Sequence, residues 1–299
     1  MKKILFLALM VFAFQGLQAQ EADTVTVKRE GSWGLNFANV GLSNWAAGGE
    51  NSIALGTVFN TKVTRTKGKA QWVNQVDFAL GGAKVGEQSF RKTDDAIILI
   101  SQYSSRINNK VSWGLAGIFR TQLLEGQTFA NDAMGNEVAT KISNFMAPGY
   151  LTVNLGFDYK VNEALHVSFA PAAGKFTFVS DDDLAAVGAF GVDPGSNSRA
   201  EFGSNLLLTL DLPVMENISF RSNLNMFTGY ETFGDIDVNW ETLLVMKVNQ
   251  WFNATFGTQL IYDKDILIDT GDGVPTDAVQ FKHVLNFGLN FKLFDSKAN

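Results

Sequence analysis

The sequence predicts an all-β fold, a transmembrane antiparallel up-and-down β-barrel of about 12 strands, and three observations carry that expectation. After Gln20, segments of ten to fourteen residues alternate apolar and polar side chains, the period of a strand with two unlike faces. The gaps between these segments are alternately short and long, the arrangement of a barrel with tight periplasmic turns and larger external loops. Beyond the leader no apolar run approaches the length of a membrane-spanning helix, Ala96 to Ile100 being typical, so a bilayer has to be crossed by strands.

Residues 1–20 read as a secretory signal peptide rather than as part of the fold. Lys2 and Lys3 form a positive start, Ile4 to Phe14 is an apolar stretch of eleven residues, and Leu17-Gln18-Ala19-Gln20 offers small residues for cleavage. Removing Lys2 and Lys3 lowers the formal charge from −6 to −8, which argues against nucleic acid as a partner. The chain has no Cys, so neither thiolate metal sites nor thiol nucleophiles are available. Residues 21–299 carry no linker or low-complexity segment and read as one barrel domain in the outer membrane.

The strands follow in order. The first covers Gly31 to Ala38, with Trp33, Leu35 and Phe37 on one face. The second, Ser52 to Thr64, sets Ile53, Leu55, Phe59 and Val63 against Asn60, Lys62 and Thr64, and Lys67-Gly68-Lys69 turns the chain. The third runs from Ala70 to Leu80; the fourth, Asp95 to Ile107, is apolar on both faces over Ile97 to Ile100. After a turn at Asn108-Asn109, the fifth covers Lys110 to Gln122 with Arg120 and Gln122 on its polar face. The sixth, Gly149 to Val161, alternates Leu151, Val153, Leu155, Phe157 and Tyr159 with Asn154, Asp158 and Lys160.

The seventh strand starts at Leu165, and Pro171 with Gly174 predicts a bulge or an early end, because proline cannot donate to a ladder. The eighth is Glu201 to Leu212, and the ninth is Ile218 to Thr228 with Arg221, Asn223 and Asn225 on its polar face. The tenth, Ile236 to Val248, opposes Trp240, Leu244 and Met246 to Asp237, Asn239 and Glu241. The eleventh covers Phe252 to Tyr262, and the twelfth, Phe281 to Phe294, sets Leu285, Phe287, Leu289 and Phe291 against Asn286, Asn290 and Lys292. Trp33, Trp72, Trp113, Trp251 and Tyr159 fall near short turns or the start of the barrel, where an aromatic girdle belongs.

Long connections follow the odd strands, at 39–51, 81–94, 123–148, 175–200, 229–235 and 263–280. Short ones follow the even strands, and a soluble sandwich has no reason to sort its loops this way.

Catalytic motifs are absent. No Walker A, GxGxxG or GxSxG string occurs, and the two histidines, His166 facing the lumen near a periplasmic turn and His283 on the outer face, do not converge. A lipid hydrolase would need one of them beside a serine at the external rim. No cofactor is expected. The polar face is the better candidate for function: Arg120, Gln122, Arg221, Asn223, Asn225, Asp237, Asn239, Glu241 and Lys292 point inward if the apolar face meets lipid. Arg120, Asp237 and Glu241 are the expected constriction. Lumen side chains of both signs either steer a solute or merely fill a narrow barrel.

Two loops are acidic, with Asp181-Asp182-Asp183 in one and Asp263, Asp265, Asp269 and Asp272 in the other. The second set is a candidate calcium site without EF-hand spacing, and solvated loop charge is the simpler reading. Arg91-Lys92-Thr93-Asp94-Asp95 reads as a local ion-pair network at a strand start.

Several strings stand at the external ends of strands or in long loops: Asn44-Trp45-Ala46-Ala47-Gly48-Gly49-Glu50-Asn51, Arg91 to Asp95, Phe119-Arg120-Thr121-Gln122, Gly174-Lys175-Phe176-Thr177, Ala189-Phe190-Gly191-Val192, Asp235 to Glu241, and Tyr262-Asp263-Lys264-Asp265. Together they resemble a Bacteroidota family catalogued as a domain of unknown function (number 3078). The resemblance implies an outer-membrane β-barrel from that phylum and supplies no activity, ligand or catalytic residue. The loop strings, Asn44, Trp45, Glu50, Asn51, Arg91, Asp94 and Asp95 among them, are expected to pack into the outer mouth. The sequence thus points to a narrow pore or binding channel for small polar solutes. The alternatives are a closed barrel whose loops bind a partner or glycan, and a lipid hydrolase. Outer-membrane lipids are expected as neighbours, and the oligomeric state is left open.

Overall fold

The computed structural model describes residues 25–40, 50–269 and 274–298. The signal peptide expected over residues 1–20 lies outside the described residues.

The elements in chain order are β1 (Val25–Val40), β2 (Ser52–Lys67), β3 (Ala70–Val85), β4 (Arg91–Arg106), β5 (Val111–Thr121), β6 (Gly126–Asn131), β7 (Glu137–Ser143), β8 (Gly149–Lys160) and β9 (Leu165–Phe178). A short helix α1 (Asp182–Ala186) and a single 3-10 turn (Ala189–Gly191) follow. Then come β10 (Ser198–Met215), β11 (Ile218–Gly229), β12 (Asp237–Lys247), β13 (Phe252–Tyr262), β14 (Leu267–Asp269), β15 (Pro275–Asp277) and β16 (Gln280–Ala298).

Twelve of these strands close into one antiparallel barrel in the order β1-β16-β13-β12-β11-β10-β9-β8-β5-β4-β3-β2. Each expected strand is present and each pairs with its sequence neighbour in the barrel. Closure leaves no row of unpaired backbone groups, the condition for a sheet to sit in hydrocarbon. The remaining strands form two hairpins outside the barrel, β6–β7 and β14–β15.

The surface is inside-out relative to a soluble domain. Trp113, Leu115, Leu155, Phe157, Phe169, Phe202, Trp240, Phe281, Leu285, Phe287 and Leu289 are all exposed, whereas the buried apolar residues are few and mostly small or β-branched. In water such a continuous apolar exterior is untenable; against acyl chains it is the expected face. Near the short turns, Trp33 stacks on Phe291 at 5.8 Å and Tyr103 meets Trp113 edge-on at 5.8 Å. Trp33 and Trp72 donate their indole N–H to Thr57 and Ser101, both at 2.9 Å, so the polar edge of each ring is satisfied.

Strand lengths differ from expectation in instructive ways. β3 and β4 run on to Val85 and back from Arg91, so the connection expected over 81–94 shrinks to 86–90. The register slips between Gly81 and Gly82, and the bulge carries the hairpin beyond the wall. Pro171 does not end its strand. In β9, Ala170 faces Asn205 and Ala173 faces Gly203, so residues 171 and 172 share the place opposite Ser204 and the ladder resumes to Phe178. The missing N–H of proline is absorbed in that bulge.

Candidate functional site

Period-2 alternation turns one face of every barrel strand inward, and the polar faces together enclose a cavity of about 850 Å³. Its wall includes Lys62 and Asp77 from β2 and β3, Asp94 and Arg120 from β4 and β5, Arg221 and Asn223 from β11, Glu241 from β12, Gln259 from β13, and Lys282 and Lys292 from β16. Seven strands of the wall, β2, β3, β4, β5, β11, β12 and β16, thus contribute cations or carboxylates to one water-accessible space. This size lies within the range of sites that hold small molecules, roughly 300–1,000 Å³.

One ion pair crosses that space. Arg120 Nη1 donates to Glu241 Oε1 at 3.2 Å, although β5 and β12 are separated by β8, β9, β10 and β11 along the shorter arc of the wall. The same oxygen accepts from Gln259 Nε2 at 2.9 Å, and Gln259 also reaches Asn239 Oδ1 at 3.1 Å. A second chord joins Lys282 on β16 to Asp94 on β4 at 3.3 Å. Arg120 and Glu241 keep 34% and 39% of their side-chain surface. Ion pairs this well solvated contribute about 0–1 kcal/mol. The chord is therefore a weak crossbar.

The neighbouring sector is built differently. Lys175 on β9 donates to Asp237 at 2.6 Å and to Asp263 at 2.9 Å, with Glu201 at 3.7 Å. β9 and β12 are not adjacent, so these contacts run through the interior. Lys175 is only 15% exposed, and its ammonium lies 5.8 Å from the ring centroid of the buried Phe227, which packs with Ala170 and Ala173. Arg199 extends the network, binding Glu201 at 3.1 Å, Asp265 at 2.7 Å and the Gly191 carbonyl at 3.1 Å. This half of the barrel interior is filled and cross-linked.

Above it sits a folded cap. Val179, Leu184, Ala185 and Val192 bury themselves with Ala147, and Ala189 and Phe190 pack against them. Asp181 caps α1 by accepting from the Leu184 N–H at 3.3 Å. It also accepts from Asn144 at 2.9 Å and from Lys141 of β7 at 2.8 Å, while Lys141 reaches Asp183 at 2.7 Å. The hydrogen bonds from Asn144 and Lys141 pull the Asp181 carboxyl down to about 2, and the two carboxylates raise the Lys141 ammonium. Gly191 has φ +77, and a Cβ there would stand 3.1 Å from Arg199 Nη1 and from the Asp265 Cβ, so the position requires glycine.

Of the expected lumen residues, Arg120, Asn239 and Glu241 come together, and Arg221, Asn223 and Lys292 line the same cavity. Arg221 pairs with Asp211 at 2.5 Å, and Asn225 accepts from Asn205 at 2.9 Å. Two assignments change. Asp237 does not join Arg120 and Glu241, because Lys175 holds it. Gln122 lies at the base of the long loop, where its amide donates to the carbonyls of Asn144 and Ala147 and its oxygen accepts from Lys92 at 3.1 Å. β5 has ended at Thr121, so alternation no longer sets its direction.

The stretch Arg91 to Asp95 is not a local network. Only Lys92–Asp95 is, at 3.0 Å; Arg91 pairs with Glu137 of β7 and lies over the Phe129 ring, while Asp94 reaches Lys282. Asp95 is buried and accepts from the N–H groups of Leu123 and Leu124 at 2.9 and 2.8 Å, anchoring the loop. Asn44, Trp45 and Asp272 lie outside the described residues. The Asn51 carbonyl accepts from the Gly86 N–H at 2.8 Å, and a Cβ on Gly86 would meet the Glu50 carboxylate. The calcium candidates Asp263 and Asp265 are occupied by Lys175 and Arg199, Asp269 ends β14, and no group of three or more metal-ligating side chains occurs among the described residues. His166 stands opposite Thr209 and Lys160, and His283 lies 6.0 Å from Phe281 on the outer face, so the histidines do not meet.

Lys175 is the residue that reading the sequence misses. With Pro171 as a possible strand end, the sequence places Lys175 in the 175–200 loop. The alternation Lys175-Phe176-Thr177-Phe178 itself signals that the strand resumes beyond the proline.

Residues 37–127, from the end of β1 into the start of β6, match the model of a family described as protein of unknown function (DUF3078). No curated protein matches the chain. Among solved structures, an outer membrane channel from Pseudomonas putida F1 is 9% identical over 93% of this chain and 100% of its own, with a TM-score of 0.41. The NanC porin is 7% identical over 88% of this chain and 100% of its own, at 0.39. The translocator domain of the autotransporter NalP from Neisseria meningitidis is 11% identical over 97% and 95%, at 0.33.

Proposed function

We propose that the chain is a narrow outer-membrane channel for small polar solutes, with the Arg120–Glu241 chord at its constriction. The observation that carries this reading is a solvated cavity of about 850 Å³ with charged groups of both signs, enclosed by a closed barrel whose outside is apolar. Loop sorting and the leader over 1–20 support an outer-membrane location, and the family resemblance supports an origin in the Bacteroidota. A fixed plug would be expected to carry buried, fully paired charges; the chord is half exposed and weak enough to open on encounter.

Single-channel recording of the refolded protein in a planar bilayer tests the proposal. Stable open steps are expected, with a reversal potential under a salt gradient that moves toward cation preference in Arg120→Gln, because the lumen loses a positive charge. A closed barrel that never conducts would overturn it. The folded cap built by α1 and Lys141 favours a second reading, in which the outer loops bind an external partner or glycan. That reading predicts no conductance and binding that depends on residues 179–197.

A further inference from the structure

The two groups of the lumen chord each use only part of their bonding capacity. Arg120 spends one guanidinium N–H on Glu241, through Nη1, and no other hydrogen bond of its side chain is found among the described residues. Glu241 receives Arg120, Gln259 and Asn239 all on Oε1, which leaves Oε2 without a protein donor among the described residues. Neither spare edge is buried away from solvent, since both side chains are half exposed to the cavity. A guanidinium fork with its Nε/Nη2 edge open suits a carboxylate bidentately, and a free carboxylate oxygen suits an ammonium.

The facing wall repeats the pattern. Lys62 lines the same cavity and forms no ion pair among the described residues. Asp77, one strand over, accepts only from the neutral amides of Asn60 at 2.8 Å and Gln75 at 2.7 Å. The cavity thus presents unspent valence of both signs on opposed walls. A simple cation or anion satisfies one sign and is repelled by the other. A molecule carrying one of each satisfies both.

We infer that the lumen is a binding site for small zwitterions of the amino acid and short-peptide class, carboxylate on Arg120 and ammonium on Glu241. The inference rests on the cavity being the working site of the channel. The chord itself need not break for the ligand to seat, because both contacts use atoms that the protein leaves open.

The test is equilibrium dialysis of radiolabelled glycylglycine against the refolded full barrel in detergent, with glycylglycine amide and N-acetylglycylglycine as analogues that keep a single charge. Glycylglycine is expected to bind about tenfold or more tightly than either analogue, the scale of one lost charge-assisted hydrogen bond. Arg120→Gln and Glu241→Gln should each lower its affinity by about the same factor, and Arg120→Lys should fail to restore it for want of the planar fork. Folding of each variant is checked by the mobility shift between unheated and heated samples. If Arg120→Gln does not close, Arg120→Lys and Glu241→Gln decide. Equal binding of all three ligands, or wild-type binding in the variants, overturns the inference. A protein that conducts salt and does not bind glycylglycine overturns it and leaves the channel standing. One that binds with this preference and never conducts upholds it and overturns the channel instead.

Discussion

Two ion networks share the interior of this barrel, built from the same chemistry and held to different purposes. Lys175 sits among Asp237, Asp263 and Glu201 with little solvent; Arg120 meets Glu241 in a cavity, half exposed. Coulomb attraction alone does not separate them. Solvent does. In the first case removing one partner strands charges in a poorly hydrated interior, while in the second water replaces the partner. A lumen ion pair is therefore a strut or a latch according to its burial, and only the second kind suits a path that must open.

The largest effect should come from breaking the strut. Lys175→Met leaves three carboxylates around an apolar side chain, and the loss of stability should be roughly 3–5 kcal/mol. Urea titration of the refolded barrel in lipid vesicles measures it. A change below about 1 kcal/mol would put Lys175 in the same category as Arg120. Next in size is Gly191→Ala, at φ +77 and against Arg199 and Asp265, where the left-handed backbone alone costs about 1–2 kcal/mol. Its effect should be local, read as faster hydrogen exchange over 179–197 with the barrel strands unchanged.

The acid response of the cap sharpens the contrast from the other end. Asp181 titrates at about 2 in the folded protein, below the usual aspartate value of about 3.9. A depressed carboxyl lends stability at all pH above its unfolded value, and that contribution fades as pH falls through the folded one. Protection against hydrogen exchange over β7 and α1, taken relative to the intrinsic amide rate at each pH, should therefore be constant from neutral pH down to about 4 and fall between about 4 and 2. Asp181→Asn should show the faster exchange already at neutral pH. The smallest effect on stability belongs to Arg120→Gln, less than about 1 kcal/mol, and the same variant should give the largest shift in ion selectivity. A variant that unfolds without changing selectivity would reverse the assignment of latch and strut.

The barrel was legible in the sequence because membrane strands advertise themselves by period and by the sorting of their loops. Trp240, Leu244 and Met246 against Asp237, Asn239 and Glu241 leave little freedom for the tenth strand. Arg120 and Glu241 were found for the same reason: alternation fixes which wall faces water. What alternation cannot supply is who meets whom across the lumen. Asp237 and Glu241 share a face of β12, and their partners lie on β9 and β5, set by the closure of the barrel rather than by neighbours in the chain. Gln122 failed because the strand had already ended, and Lys175 because a bulge at Pro171 was allowed to stand as a terminus. The hairpins β6–β7 and β14–β15 and the helix α1 lie in loops, where no lipid boundary imposes a pattern.

The barrel's seam joins its first strand to its last. Val27 lies opposite Ala298 and Asn36 opposite Gly288, so β1 finds one of its two partners only when the far end of the chain arrives. Until then every intermediate exposes two live edges and an apolar face, a species that sticks to its own kind in water. Such a chain is protected only once the seam is stitched shut. Loop closure across the whole sequence then makes the final stitch the slow one.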